Sequence, residues 1–383
     1  MAVCRAVCAV CILVRIVAKA VCSVVKMVVA SVCCEEVNVS NVVSRATRFA
    51  TIWATVGGVG AVEVDVCAIR NEADSVAIAK VLKIQVFILC FSFARCRRYP
   101  SPAGLQDRGT IGVLFNLTAL RAFQRNWPLY IFEASELAIF MISACVFTVL
   151  LFDPAYAMPR ILPSAALRRI LMGIAMGVTA VLIIHSPMGK RSGAHFNPAI
   201  TLTYLRLGKV APWDAVFYVI FQFIGGLGGV GIAAILLGAS IAAPSVDYAV
   251  TVPGLGGTVG AFCAELFMAT LLMGVVLWMS NRPAVAKYTS YCMGVLIASY
   301  IFFFAPVSGF SINPARTVGS AVFAGVWTAC WLYFVAPLLG MMTSAEVYLR
   351  AAGADRILCA KLHPDPNYPC PFRCHFPFHR HET

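Results

Sequence analysis

The chain has 383 residues, 60% hydrophobic and 12% charged, with a mean hydropathy of +0.84 and a net charge of +13. That balance excludes a soluble globular domain, and several apolar runs approach the ~20 residues that cross ~30 Å of hydrocarbon. The positive charge does not mark a nucleic-acid partner, because the Lys and Arg residues sit mainly in short loops and tails, where they orient the chain and touch the membrane surface.

Residues 1–34 are rich in Ala, Val and Cys, basic at Arg5, Arg15, Lys19 and Lys26, and free of acids until Glu35. They fit a targeting segment or an amphipathic surface helix. Residues 35–125 show little periodicity, so 1–125 is set apart as an extension of unassigned role, disordered, targeting, or outside the mature product. Nine of the sixteen Cys precede residue 100, without the spacing of a zinc site or of a secreted disulfide scaffold. Cys145, Cys263, Cys292 and Cys330 lie in apolar spans and read as small packing residues.

From Leu129 the pattern becomes orderly. Full spans are predicted at Leu129–Phe152, Leu167–Ser186, Trp213–Leu237, Thr258–Ser280, Thr289–Ala305 and Trp327–Leu349. Two shorter segments, Asn197–Leu205 and Asn313–Phe323, each open on Asn-Pro-Ala: Asn197, Pro198, Ala199 and Asn313, Pro314, Ala315. Asn is a strong N-cap, and Pro suits the first helical position, where no N–H is needed. At ~1.5 Å per residue either segment covers about half a bilayer, so both are predicted to be re-entrant half-helices.

The units repeat. Glu133 lies early in the first span with Asn197 64 residues later; Glu265 lies early in the fourth, with Asn313 48 residues later. Each repeat, 129–237 and 258–349, holds three full spans, an odd number, so the second copy enters from the opposite face and the two half-helices point at each other. Loop charges place both termini in the cytoplasm. Arg121, Arg125, Lys190, Arg191, Arg206, Lys209, Arg282, Lys287, Arg350, Arg356 and Lys361 then lie inside, while Arg168 and Arg169 are the exception. The fold class is therefore an all-α membrane protein of six transmembrane helices plus two half-helices, over residues 126–350, followed by a tail, 351–383.

Facing half-helix N-termini form a cation barrier, each contributing roughly half a positive charge. The Asn197 and Asn313 amides are placed to donate to a passing water or hydroxyl oxygen. Arg316 follows the second triplet; inside a membrane an Arg costs ~2.5–3.5 kcal/mol on insertion scales, so it should face a polar lumen.

The runs SGAHFNPAITL, AELFMATLLM and SGFSINPARTVGSAV resemble the major intrinsic protein family of aquaporins and glycerol facilitators, over about residues 129–350. The resemblance implies one pore per subunit in a homotetramer and makes Arg316 the selectivity-filter arginine. Counting from the triplets gives the other filter positions as Phe310, Ile301 and Gly177, three and twelve residues before Asn313 and twenty before Asn197. Water-selective members place a bulky aromatic and a His where this chain has Gly177 and Ile301, so a wider, less polar filter is expected. The resemblance also gives Glu133 and Glu265 the role of holding the re-entrant loops, and the His195 carbonyl a place in the inner vestibule. Glu136 stands where the family usually has Gly.

The tail carries Cys359, His363, Cys370, Cys374, His375, His379 and His381, but the spacing matches no standard zinc site and five prolines point to an open chain, so no metal is expected. No catalytic cluster or cofactor motif is visible, and the chain is not expected to be an enzyme. The reading is a passive channel for water and small neutral solutes such as glycerol, in the lipid bilayer of a plasma or bacterial inner membrane. A coupled secondary transporter, or a non-conducting structural protein on the same fold, is the alternative.

Overall fold

A computed structural model describes residues 108–376, with side chains from residue 118 onward. The expectations for residues 1–107, and those for His379 and His381, lie outside the described residues. Among the described residues there is no strand. The long helices are α1 (Arg108–Phe152), α2 (Ala165–His185), α4 (Pro212–Leu237), α5 (Gly257–Ser280), α6 (Thr289–Ser308) and α8 (Leu332–Ala352), and the helices that open on the two triplets are α3 (Pro198–Arg206) and α7 (Pro314–Ala324). All six long helices are long and apolar enough to cross a membrane, and the chain is an integral, multi-pass membrane protein.

The six spans fall where the sequence puts them, with shifted ends. Helix α1, described from Arg108, runs through Pro128 without a break, so the boundary drawn at residue 125 falls inside a helix. Pro306 sits in the last turn of α6, whose end is set by Gly309 in the left-handed region. Helix α8 begins at Leu332, and Trp327–Trp331 form turns ahead of it.

Packing follows the repeat. The first and third spans of each copy pair with each other, α1 with α4 and α5 with α8, and the middle spans α2 and α6 pair across the copies. Each half-helix leans on the third span of the other copy, α7 on α4 and α3 on α8. Small residues allow these approaches, as is usual where lipid offers no hydrophobic drive between helices. At the α2–α6 crossing a Cβ on Gly177 would stand 2.5 Å from the Gly294 carbonyl oxygen, so a side chain has no room there. Outward faces keep large apolar side chains such as Leu182, Ile235 and Phe303 exposed, which suits contact with acyl chains.

Candidate functional site

The two Asn-Pro-Ala triplets meet. Asn197 caps α3 by accepting the Ala199 N–H at 2.9 Å; Asn313 caps α7 by accepting those of Ala315 at 3.0 Å and Arg316 at 3.3 Å. Pro198 and Pro314 take the first helical positions. The side-chain amides then cross: Asn197 Nδ2 donates to the Ile312 carbonyl and Asn313 Nδ2 to the Phe196 carbonyl, each at 2.8 Å. Each amide nitrogen carries two hydrogens, so the crossing bond leaves a second donor on each.

Both loops are bent against their intrinsic preference. Ala194 and Phe196 in the first, and Phe310 and Ile312 in the second, adopt positive φ without being glycine. Such backbone persists only where surrounding bonds hold it. Those bonds come from Glu133 and Glu265, both fully buried. Glu133 accepts the N–H groups of His195 at 2.9 Å and Phe196 at 2.6 Å, and the Gln222 amide at 2.7 Å. Glu265 accepts the Ser311 N–H at 2.9 Å, the Ile312 N–H, and the Ser308 hydroxyl at 2.7 Å. Tyr218 and Tyr333 donate to the carbonyls of Ser192 and Ser308 at 2.6 and 2.7 Å, pinning the start of each loop. Glu136 differs: it too is buried, accepts the Ser192 hydroxyl at 2.7 Å through Oε1, and meets no protein donor at Oε2.

A cavity of about 340 Å³ lies beside the second loop, lined by Thr148, Met172, Met176, Ile301, Phe310 and Arg316 among others. Arg316 is 9% exposed, and its Nη1 meets no acceptor on the described residues. Three of the four residues expected to surround it, Arg316, Phe310 and Ile301, are brought together here; Gly177 is not. Gly177 is the contact point of α2 with Gly294, and its neighbour Met176 faces the cavity instead. The count of twenty crosses the short helix Pro187–Ser192, where one residue more or less turns the register of α2 by about 100°.

His195 is buried. Its Nε2 lies 2.8 Å from the Ala360 carbonyl, which only accepts, so Nε2 carries the proton and Nδ1 faces the Thr201 hydroxyl at 3.1 Å. Its ring stacks between Tyr204 and Phe372, with centroids 5.2 Å from each. Ala360 and Phe372 belong to the tail, which is not the open chain that its prolines suggest. The Leu362 N–H donates to the Gly193 carbonyl at 3.1 Å, the Arg373 N–H to that of Lys209 at 3.1 Å, and Asp365 pairs with Lys190 at 2.9 Å. The tail thereby packs beneath the loop that leads into α3. It also gathers the sulfurs of Cys359, Cys370 and Cys374 within 4.8 Å of one another. His363 and His375 stand apart from that trio, His363 with its ring 4.4 Å from His185 and His375 Nδ1 3.1 Å from the Lys209 ammonium.

Sequence reasoning missed Met176, the pinning pair Tyr218 and Tyr333, and the loop serines Ser192 and Ser308. The serines were visible as a signal, since each stands five residues before its Asn.

Three comparisons with known proteins agree with this architecture. A probable aquaporin NIP-type of Nicotiana alata is 32% identical over 187 residues, 48% of this chain and 67% of the relative. The putative aquaporin NIP4-1 of Arabidopsis thaliana is 33% identical over 177 residues, 46% of this chain and 60% of the relative, so the chain spans under two thirds of that protein's length. The X-ray structure of the aquaglyceroporin from Plasmodium falciparum superposes with a TM-score of 0.51 at 19% identity, over 60% of this chain and 98% of that one, a likeness of fold. The family model described as major intrinsic protein matches residues 129–348, more than half of the chain, and with the paired triplets and six spans it establishes that this protein belongs to the major intrinsic protein family.

Proposed function

We propose that the chain is a passive channel for water and small neutral solutes, and that its pore runs past Asn197 and Asn313 and through the cavity at Arg316. The observation that carries this reading is the crossing of the two Asn amides at the facing N-termini of α3 and α7. Each keeps one N–H for a permeating oxygen, and the two helix ends add positive potential at the crossing. A water that accepts from both amides cannot relay a proton along a file. Arg316 supplies a fixed cation and donors at the cavity wall, which repels cations and holds hydroxyl oxygens. Met172, Met176, Ile301 and Phe310 make the remaining wall largely apolar. A polyol such as glycerol matches that division, with its CH edge on the apolar wall and its hydroxyls toward Arg316. Met176 in place of Gly177 makes this constriction narrower than the sequence count implies. Glu133 and Glu265 act as the anchors that keep both loops in their strained form. The extension keeps its unassigned role, the channel unit begins within α1, the tail is docked on it, and both termini are cytoplasmic in a homotetrameric assembly.

Stopped-flow light scattering on proteoliposomes tests the reading. Fast shrinkage in sucrose followed by re-swelling in glycerol, with neither step altered by a proton or sodium gradient, is expected. Flux that requires such a gradient would instead identify a coupled transporter, and permeability equal to that of empty liposomes a structural protein.

A further inference from the structure

The tail holds chemistry that the channel reading does not use. Cys359, Cys370 and Cys374 converge with their sulfurs within 4.8 Å of one another, the closest pair, Cys359 and Cys370, at 3.4 Å. Zinc–thiolate bonds of about 2.3 Å put the sulfurs of a tetrahedral site about 3.8 Å apart, inside that range. Cys359 is buried and the other two are half-buried, in a small apolar cluster with Ala286, Leu358 and Phe376. A second observation points the same way. Lys361 is fully buried, and its ammonium donates to the carbonyls of Tyr368 and Pro369 at 3.1 and 2.9 Å, while no carboxylate among the described residues forms an ion pair with it. A buried ammonium lacking a partner anion is costly. Three thiolates around a divalent ion carry a net single negative charge, which the Lys361 ammonium would balance.

We infer that Cys359, Cys370 and Cys374 form a thiolate site for a soft divalent cation, zinc by chemistry, and that the filled site clamps the tail beneath the loop leading into α3. Binding replaces three S–H protons with three metal–sulfur bonds, releases those protons, and leaves the fourth corner of the tetrahedron for a water or an added ligand. The clamp follows from chain geometry. The cysteines bracket the stretch that contains Leu362, bonded to Gly193, Asp365, paired with Lys190, and Phe372, stacked on His195. Fixing Cys359 to Cys370 and Cys374 closes that stretch into a loop of fixed shape, and a loop already shaped to meet Gly193, Lys190 and His195 loses less entropy on docking, so the docked tail holds the ion more tightly than the released one. Neither the site nor the clamp depends on what the pore conducts.

The test uses the full chain, purified in detergent with a phosphine reductant and stripped by a chelator. Zinc is titrated against a chromophoric indicator, and cobalt(II) is used as a spectroscopic probe. The wild-type chain is expected to take up one equivalent more than the triple variant Cys359→Ser, Cys370→Ser, Cys374→Ser, while Cys263→Ser, on an exposed face of α5, takes up as much as wild type. That comparison removes any contribution from the nine cysteines before residue 100. Cobalt should give thiolate charge-transfer bands that the triple variant loses. Trypsin cleavage after Lys361 and Arg373 should slow about 100-fold with free zinc at ~100 times Kd, as mass action requires if only the docked tail holds the ion. Equal uptake by wild type and triple variant, or cobalt uptake without thiolate bands, overturns the site. Zinc uptake with unchanged cleavage overturns the clamp.

Discussion

Asn197 and Asn313 are tied to each other's loops, not to each other: each amide donates at 2.8 Å to the carbonyl that precedes the other asparagine. Each side chain thus caps its own helix with its oxygen and braces the opposite loop with its nitrogen. Replacing Asn197 with Ala removes a cap, costing about 0.5–2 kcal/mol, and leaves the buried Ile312 carbonyl without its donor, costing about 1–3 kcal/mol. Because the two bonds share no atom but fix one junction, the double variant Asn197→Ala, Asn313→Ala should lose less than the sum of the singles. Retention of monodisperse protein after graded heating, read by size-exclusion chromatography, gives that cycle. Strict additivity would mean that the two loops are held independently.

The three buried carboxylates should respond unequally. Glu265→Gln keeps one acceptor oxygen and turns an amide N–H toward a donor, so either Ile312 or the pair Ser308 and Ser311 loses its acceptor. A loss of about 1–4 kcal/mol is expected from one or two unmade buried bonds, with water flux falling at least tenfold as the strained loop relaxes. Glu133→Gln should behave alike. Glu136→Ala removes a carboxyl that has one partner, the Ser192 hydroxyl, and one oxygen with none, so its cost should stay within about 1 kcal/mol. Thermal retention of the three variants side by side checks the order.

The repeated part of the molecule was legible because its signals are local. Span length, Asn-Pro capping and the early glutamates are each read within one turn or one helix, and the odd count of spans makes the inversion unavoidable. Two things failed to show. The face of α2 turned on a single residue, since counting back from Asn197 to Gly177 runs through the helix Pro187–Ser192. The tail was misread because its order comes from elsewhere in the chain: Ala360 meets His195 across 165 positions, and Leu358 donates to Asn281 across 77. Proline density says only that the tail is not helical, and long-range partners decide whether an irregular segment is fixed.

Met176 and Gly177 are neighbours with opposite jobs. Met176→Ala widens the cavity wall, so glycerol re-swelling should rise severalfold relative to water permeability. Gly177→Ala pushes a methyl toward the Gly294 carbonyl, and should destabilise the α2–α6 crossing by about 1–3 kcal/mol without changing that ratio. Stopped-flow ratios for both variants, normalised to reconstituted protein, separate the two roles. A glycerol gain from the Gly177 variant and none from Met176→Ala would restore the simple count.

Acid should loosen the tail through His363. Burial first, then the neighbouring His185 ring, Lys190 and Lys361, push the His363 imidazole down to about 4 from 6.5, with Asp365 opposing. The docked tail therefore binds fewer protons than the released tail between about pH 6.5 and 4. The contribution is fully present above about pH 6.5 and is lost as pH falls toward 4. Asp365 adds no pH dependence in this window: burial raises its pKa, the Lys190 ammonium outweighs burial, and the stability it contributes is lost only as pH falls below its ordinary value near 3.8. Hydrogen exchange of tail peptides, compared at each pH with the His363→Asn variant so that intrinsic rates cancel, measures the effect. Wild-type protection should fall relative to the variant as pH drops from about 6.5 to about 4. A constant ratio would mean that His363 titrates alike in the docked and released tail, and that contacts other than His363 set the acid response.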